Sequence, residues 1–228
     1  MKQVTYELNL ANGERFTFNV DINRPHPSPQ EIGDDHADWT RLEFNRCVSC
    51  PLDETLHKFC PTAVDIQEIT HQFWNTTSIE RADVWVHTED RSYFKNCDAQ
   101  TYLMSLYGVI MSTSACPILA RLKPMAHFHL PFAKMEETVY RLVGTYLINQ
   151  YMKYRKGEKQ PDWELSELRE LYSLLKAVNM QFMKRLRNAS NADANINAQQ
   201  IFVSTTMLVE MGIDSILDTL SPLLADGL

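Results

Sequence analysis

The sequence predicts an α+β protein: an N-terminal antiparallel sheet of about five strands with one helix, followed by a C-terminal helical bundle. Three observations predict it. Apolar residues alternate with period two on both sides of Asn12-Gly13, they alternate again around Thr88-Glu89-Asp90, and from Asp98 onward they recur at helical spacing over long stretches. The change of period divides the chain into residues 1–97 and 98–228, expected to pack as one globular unit.

The first hairpin places Val4, Tyr6, Leu8 and Leu10 before Asn12-Gly13, and Phe16, Phe18, Val20 and Ile22 after it. Asn-Gly is a strong hairpin signal because both residues tolerate positive φ. The segment "NRPHPSPQEIGDDHAD" has three prolines and few apolar residues and reads as a surface loop. "WTRLEFNR" (39–46) resumes alternation through Leu42 and Phe44, which predicts a third strand leading to Cys47. Pro61 suits the first position of a helix, and Ala63, Ile66, Ile69, Phe73 and Trp74 carry helical spacing to Asn75. "RADVWVHTEDRSYFKN" supplies the second hairpin.

Asp98 is the expected N-cap of "AQTYLMSLYGVIMSTSA", apolar nearly all round and therefore central in the core. "MEETVYRLVGTYLINQYMKYRKG" places Val139, Leu142, Val143, Tyr146, Leu147 and Tyr151 on one stripe and runs from Glu136 and Glu137 to basic residues and Gly157, as a helix should. Leu165, Leu168, Leu171, Tyr172, Leu175, Val178, Phe182 and Leu186 mark the next helix. A last helix runs from Asp193 to about Leu220 on Ile201, Phe202, Thr205, Leu208, Val209, Ile216 and Leu217.

The net charge of −7 over 228 residues disfavours counterion-release binding to nucleic acid. The local basic cluster Lys184, Arg185 and Arg187 reads as a solvated helix C-terminus, where cations suit the helix dipole. The longest apolar runs, Leu103 to Met111 and Ile201 to Val203, are shorter than the roughly 20 residues of a membrane span. "MKQVTYELNL" lacks the apolar block of a secretory signal, so a cytoplasmic protein with no membrane partner is expected. The long amphipathic helices permit a homodimer.

Five cysteines without a secretory signal favour thiols or metal ligation over a disulfide framework. Cys47, Cys50, His57 and Cys60 have the spacing C-x-x-C-x6-H-x-x-C. Zinc takes four nitrogen or sulfur donors in a tetrahedron, and a C-x-x-C turn brings two thiolates to one point. A closed set of four protein ligands would be structural, joining sheet to helix. The competing readings are buried thiols with no metal, a redox pair, and an iron-sulfur cluster held by the three cysteines, with Cys97 or Cys116 as a further ligand.

A second polar cluster, "STSACPILARLKPMAHFHLPF" (112–132), follows the most apolar helix. Ser114, Cys116, Lys123, His127 and His129, with Arg141, could line a pocket in which Lys123 and Arg141 hold a small anionic ligand and a histidine acts as acid or base. The structural reading is preferred: Ser114 caps a short helix beginning at Pro117, Pro124 and Pro131 set loop geometry, and the histidines hydrogen-bond between sheet and bundle. No Ser-His-Asp order, phosphate-binding glycine loop or H-E-x-x-H helix occurs.

"RCVSCPL", "FCP", "MSTSACP", "LKPMAHFHLPF" and "EETVYRLVGTYLINQY" resemble an uncharacterised bacterial family classed as a domain of unknown function, over nearly the whole chain from about residue 40. The resemblance implies that the Cys47, Cys50, Cys60 triad and the Lys123 to Phe132 segment are family features, and it implies no activity. The sequence therefore leads to the expectation of a metal-stabilised, zinc-holding protein with a binding or regulatory role. An enzyme with a pocket around residues 112–132 and an iron-sulfur redox protein are the alternatives.

Overall fold

Strand formation follows the period-two segments, with one exception that shapes the functional region. In the computed structural model, which describes residues 2–225, β1 (Gln3–Leu10), β2 (Arg15–Asp21), β3 (Arg81–His87) and β4 (Ser92–Asp98) form one antiparallel sheet in the order β2-β1-β3-β4. The register pairs Tyr6 with Phe18 and Val86, so Val4, Tyr6, Leu8, Val84 and Val86 share one buried face. Thr5, Glu7, Trp85 and Phe94 stand on the other face; Trp85 and Phe94 cover each other with ring centroids 4.7 Å apart. In the first turn only Gly13 takes positive φ, at 91°, while the Asn12 side chain accepts the Glu14 N–H at 2.9 Å.

Residues 39–46 do not form the expected strand. They make a short 3₁₀ turn (Asp38–Thr40) and then irregular backbone, with a single bridge from Arg41 to Phe59. The reason lies on a distant helix: the Arg185 guanidinium takes the carbonyls of Trp39, Arg41 and Leu42 at 2.8, 2.6 and 2.9 Å. Carbonyls aimed at a guanidinium cannot serve a sheet ladder, and alternation alone could not show that competitor. Arg185 is thus not part of a solvated basic face. It is 1% exposed, whereas Lys184 and Arg187 are exposed.

α1 (Pro61–Gln72) crosses the buried face of the sheet on Ala63, Ile66 and Ile69. The chain then caps it with Phe73, whose ring packs on Phe16 and Tyr102. α2 (Ala99–Ser112) starts where expected, with Asp98 accepting the Thr101 N–H at 3.1 Å, and it is buried on nearly every side. A 3₁₀ turn (Leu119–Leu122) and α3 (Lys123–His127) lead to the long helices α4 (Met135–Arg155), α5 (Ser166–Ala189) and α6 (Ala194–Leu224). α4 ends at Gly157, φ 72°, with Glu158 N–H returning to Lys153 O and Gly157 N–H to Tyr154 O, a helix stop that needs the left-handed conformation.

α5 and α6 pack side by side and close on α2. The buried row of α6 is Val203, Thr206, Val209 and Ile213, so Leu208, expected inward, is 50% exposed; Tyr151 of α4 is also exposed. Gly212 departs from helical φ/ψ and bends α6 at that point. Among the described residues α6 is long and apolar enough to cross a membrane by length and composition, a property the search for unbroken apolar runs missed. In this fold it packs on α2 and α5 and is fastened at its start. Asn195 donates to Thr70 O, Phe73 O and Ser190 Oγ and accepts from Tyr107, and Asp193 accepts the Ser78 N–H and hydroxyl.

Candidate cysteine centre and interior cavity

Four of the five cysteines gather where the irregular 39–60 segment meets α1 and the loop after α2. Cys47 and Cys50 lie on one turn, with the Cys50 N–H bonded to Cys47 O at 3.0 Å. Cys60 is the N-cap residue of α1, its sulfur making no capping hydrogen bond but lying near enough to the Ala63 N–H to be favoured as thiolate by it. Cys116 follows Ser114, whose hydroxyl is 2.7 Å from that of Thr62, so a buried bond joins the start of α1 to the loop carrying Cys116. The backbone N–H groups of Leu119 and Ile118, and the Thr62 hydroxyl, lie near the Cys116 sulfur and favour its thiolate form.

The thiols influence one another as well. Burial pushes Cys47 up to about 12, and the charges of Cys60, Cys116 and Cys50 add to it. Burial raises Cys60 to about 11, opposed by Arg185 and aided by Cys116 and Cys50. Cys116 is raised by burial, with Cys50 contributing. Every pair among these four is therefore within electrostatic reach. Cys97 is not part of the group: its charged neighbours are Lys95, Asp98 and Arg81. His57 is not part of it either; its Nδ1 lies 3.2 Å from Asp53 O, in its own turn. Among the described residues no three histidine, cysteine or acidic side chains already stand in a metal-holding arrangement.

The six residues expected to line one pocket are not brought together. Ser114 and Cys116 face the cysteine side, Ser114 through its bond to Thr62. Lys123 and His127 do not line the cavity between α2, α5 and α6, and the His127 carbonyl accepts from Lys2. His129 and Arg141 do line it. The cavity, about 260 Å³ and partly open to solvent, lies between α2, α5, α6 and the 119–138 segment, and its wall is mostly apolar: Met104, Leu122, Phe132, Tyr172, Leu175 and Phe202. Gly108 of α2 faces the Phe202 ring of α6 there, and a Cβ at that position would make an ordinary contact with it at 3.5 Å.

One corner of the cavity is polar. Tyr6 Oη lies 2.7 Å from Ser105 Oγ and 2.6 Å from His129 Nε2, and Ser105 also accepts the Phe132 N–H at 3.3 Å. Burial, with the positive Arg141 adding, lowers His129 to about 3, so the imidazole is neutral at neutral pH. Arg141 is committed to the carbonyls of Met125 and Phe128. The expected pairing of Lys123 with Arg141 around an anion is thus absent: one cation lies outside and the other already serves the backbone.

Residues 4–224 match the family described as Domain of unknown function (DUF6901). The chain belongs to that family. The match takes in sheet and helices alike, so both the cysteine group and the cavity lie within the family module. No curated protein and no solved structure matches the chain.

Sequence reasoning missed the partnership of Cys116 with the earlier cysteines, and a signal for it was present. Cys50, Cys60 and Cys116 are each followed by proline. It also missed Tyr6 and Ser105 as parts of the polar corner, because each reads locally as an inward core position.

Proposed function

We propose that this protein is a metal-stabilised binding protein: a structural zinc ion held at the cysteine-rich turn, and a small, mostly apolar ligand held in the interior cavity. The observation that carries the reading is the cavity's make-up, an apolar wall with one neutral hydrogen-bonding corner. A cavity of about 150 Å³ lined by apolar side chains takes benzene, so 260 Å³ has room for a substituted aromatic or a short acyl group. It is smaller than sites of about 300 to 1,000 Å³ for drug-sized ligands, which favours a compact occupant.

The corner sets the ligand's polar end. A proton order that serves every group runs from the Ser105 hydroxyl to Tyr6, and from the Tyr6 hydroxyl to His129 Nε2. That order leaves His129 Nδ1–H, which has no protein partner among the described residues, as a donor. It suits a carbonyl oxygen better than a carboxylate. Acid-base catalysis is not favoured, because a group titrating near 3 is poorly matched to proton transfer near pH 7.

The test is a two-dimensional NMR titration with propiophenone and with n-propylbenzene. Both should shift resonances around Gly108, Ser105 and Phe202, and propiophenone should bind about fivefold tighter, as one hydrogen bond of about 1 kcal/mol implies. His129→Phe should erase that preference. Shifts confined to the outer surface would contradict the reading.

A further inference from the structure

We infer that the fourth ligand of the zinc ion is Cys116, so that Cys47, Cys50, Cys60 and Cys116 form an all-sulfur centre that ties three separate parts of the chain together. The inference rests on the metal-stabilised reading above and replaces His57 in it. It begins from the gathering of the four cysteines: one turn, one helix N-terminus and one loop, the last two joined by the buried Thr62–Ser114 bond. His57 is turned to the carbonyl of Asp53 instead.

Two buried polar atoms beside the group have no partner. The Nε of Arg185 and the Oγ of Ser49 are buried and unbonded, although Arg185 is 1% exposed and its other two nitrogens both donate to carbonyls. Ser49 lies within the Cys47 to Cys50 turn, and the charges that act on Arg185 are those of Cys60, Cys47 and Cys50. A spare N–H on a buried cation and a spare hydroxyl within the cysteine turn both gain acceptors if the cysteines are drawn together as thiolates.

The charges agree. Zinc with four thiolates carries two net negative charges, and with three thiolates and a neutral imidazole only one. Arg185 faces the group from α5, and Arg46 stands at the turn itself, its guanidinium 3.4 Å from the Cys50 carbonyl. Two cations therefore match the all-sulfur set. The amides of Ala63, Ile118 and Leu119 lie near the Cys60 and Cys116 sulfurs and favour thiolate there. The thiols are gathered but not yet at coordination distance, so binding must draw the Cys47–Cys50 turn, α1 and the 114–119 loop together, displacing the thiol protons into solvent as Zn–S bonds form.

The test is metal content of full-length, untagged protein, wild type beside Cys116→Ser, Cys116→His and His57→Ala, each produced with zinc and again with cobalt. Wild type and His57→Ala should retain about one zinc per chain with the same intense sulfur-to-cobalt absorption. Cys116→Ser should lose zinc at least tenfold, and Cys116→His, which restores a donor, should keep metal with a weakened sulfur-to-cobalt band. Zinc lost in His57→Ala and kept in Cys116→Ser would overturn Cys116 as ligand and leave zinc binding intact. No zinc in any of the four proteins would overturn the metal reading itself, and iron with visible absorbance would overturn zinc.

Discussion

The polar corner of the cavity makes a definite statement about stability and pH. His129 titrates near 3 in the folded protein against an ordinary value of 6.5, so the folded state binds its proton less tightly than the unfolded chain does. A lowered histidine contributes stability that is fully present above about 6.5 and is lost as the pH falls toward 3. The two values give a loss of about 2 kcal/mol by pH 5 and about 3 kcal/mol by pH 4, as upper figures because the ring borders a cavity that water can enter. The perturbation is His129→Asn, which keeps a polar side chain but cannot titrate. The assay is urea unfolding of both proteins from pH 7.5 to 4. The stability difference, wild type minus variant, should shrink by about 2 kcal/mol between pH 7.5 and 5. A constant difference, or a His129 NMR titration midpoint near 6.5, would refute the buried neutral imidazole.

Other expected outcomes follow from single contacts. Asp65 pairs with Arg24 at 2.7 Å, yet burial outweighs that attraction and raises its carboxyl to about 6. Its contribution is therefore present below about 3.8 and lost as pH rises through 6, and wild-type stability relative to Asp65→Asn should fall by about 3 kcal/mol across that window in denaturant titrations. Asn195→Ala removes the partner of Tyr107 and of two backbone carbonyls, all buried, and should lower stability by about 2 to 3 kcal/mol in urea unfolding. Ser49→Ala should weaken zinc retention against a chelator by about tenfold without changing the cobalt spectrum, since it removes the unpaired hydroxyl that would bond a thiolate of the centre and removes no ligand. Gly108→Ala should be tolerated, whereas Gly108→Val should press on Phe202 and abolish propiophenone shifts in the NMR titration.

The class of fold was legible because it depends on local periodicity. Val4, Tyr6 and Leu8 alternate whatever lies beneath them, and the Asp98 cap and Gly157 stop are written within one helical turn. Residues 39–46 were misread because their carbonyls answer to Arg185, which is far along the chain and reads locally as one of three surface cations. The inward row of α6 was misassigned for a related reason. Its helix is apolar on several sides, and only the bend at Gly212 and the polar anchors Asn195 and Asp193 decide which side meets α2. At the candidate site, Cys47, Cys50 and Cys60 announce themselves by spacing, while Cys116 joins them only through the packing of α1 against the loop after α2. His127 and His129 look equivalent in sequence, and the fold separates them: one lies at α3's end, the other against Tyr6.

The central claim is that a metal ion stabilises the fold that encloses the cavity. Its most direct test is zinc analysis of untagged wild-type protein together with the unfolding temperature before and after a strong chelator. About one zinc per chain, and an unfolding temperature that drops on chelation and recovers on adding zinc, is the predicted result. Protein that contains no stoichiometric metal, or that unfolds at the same temperature with and without the chelator, would contradict it.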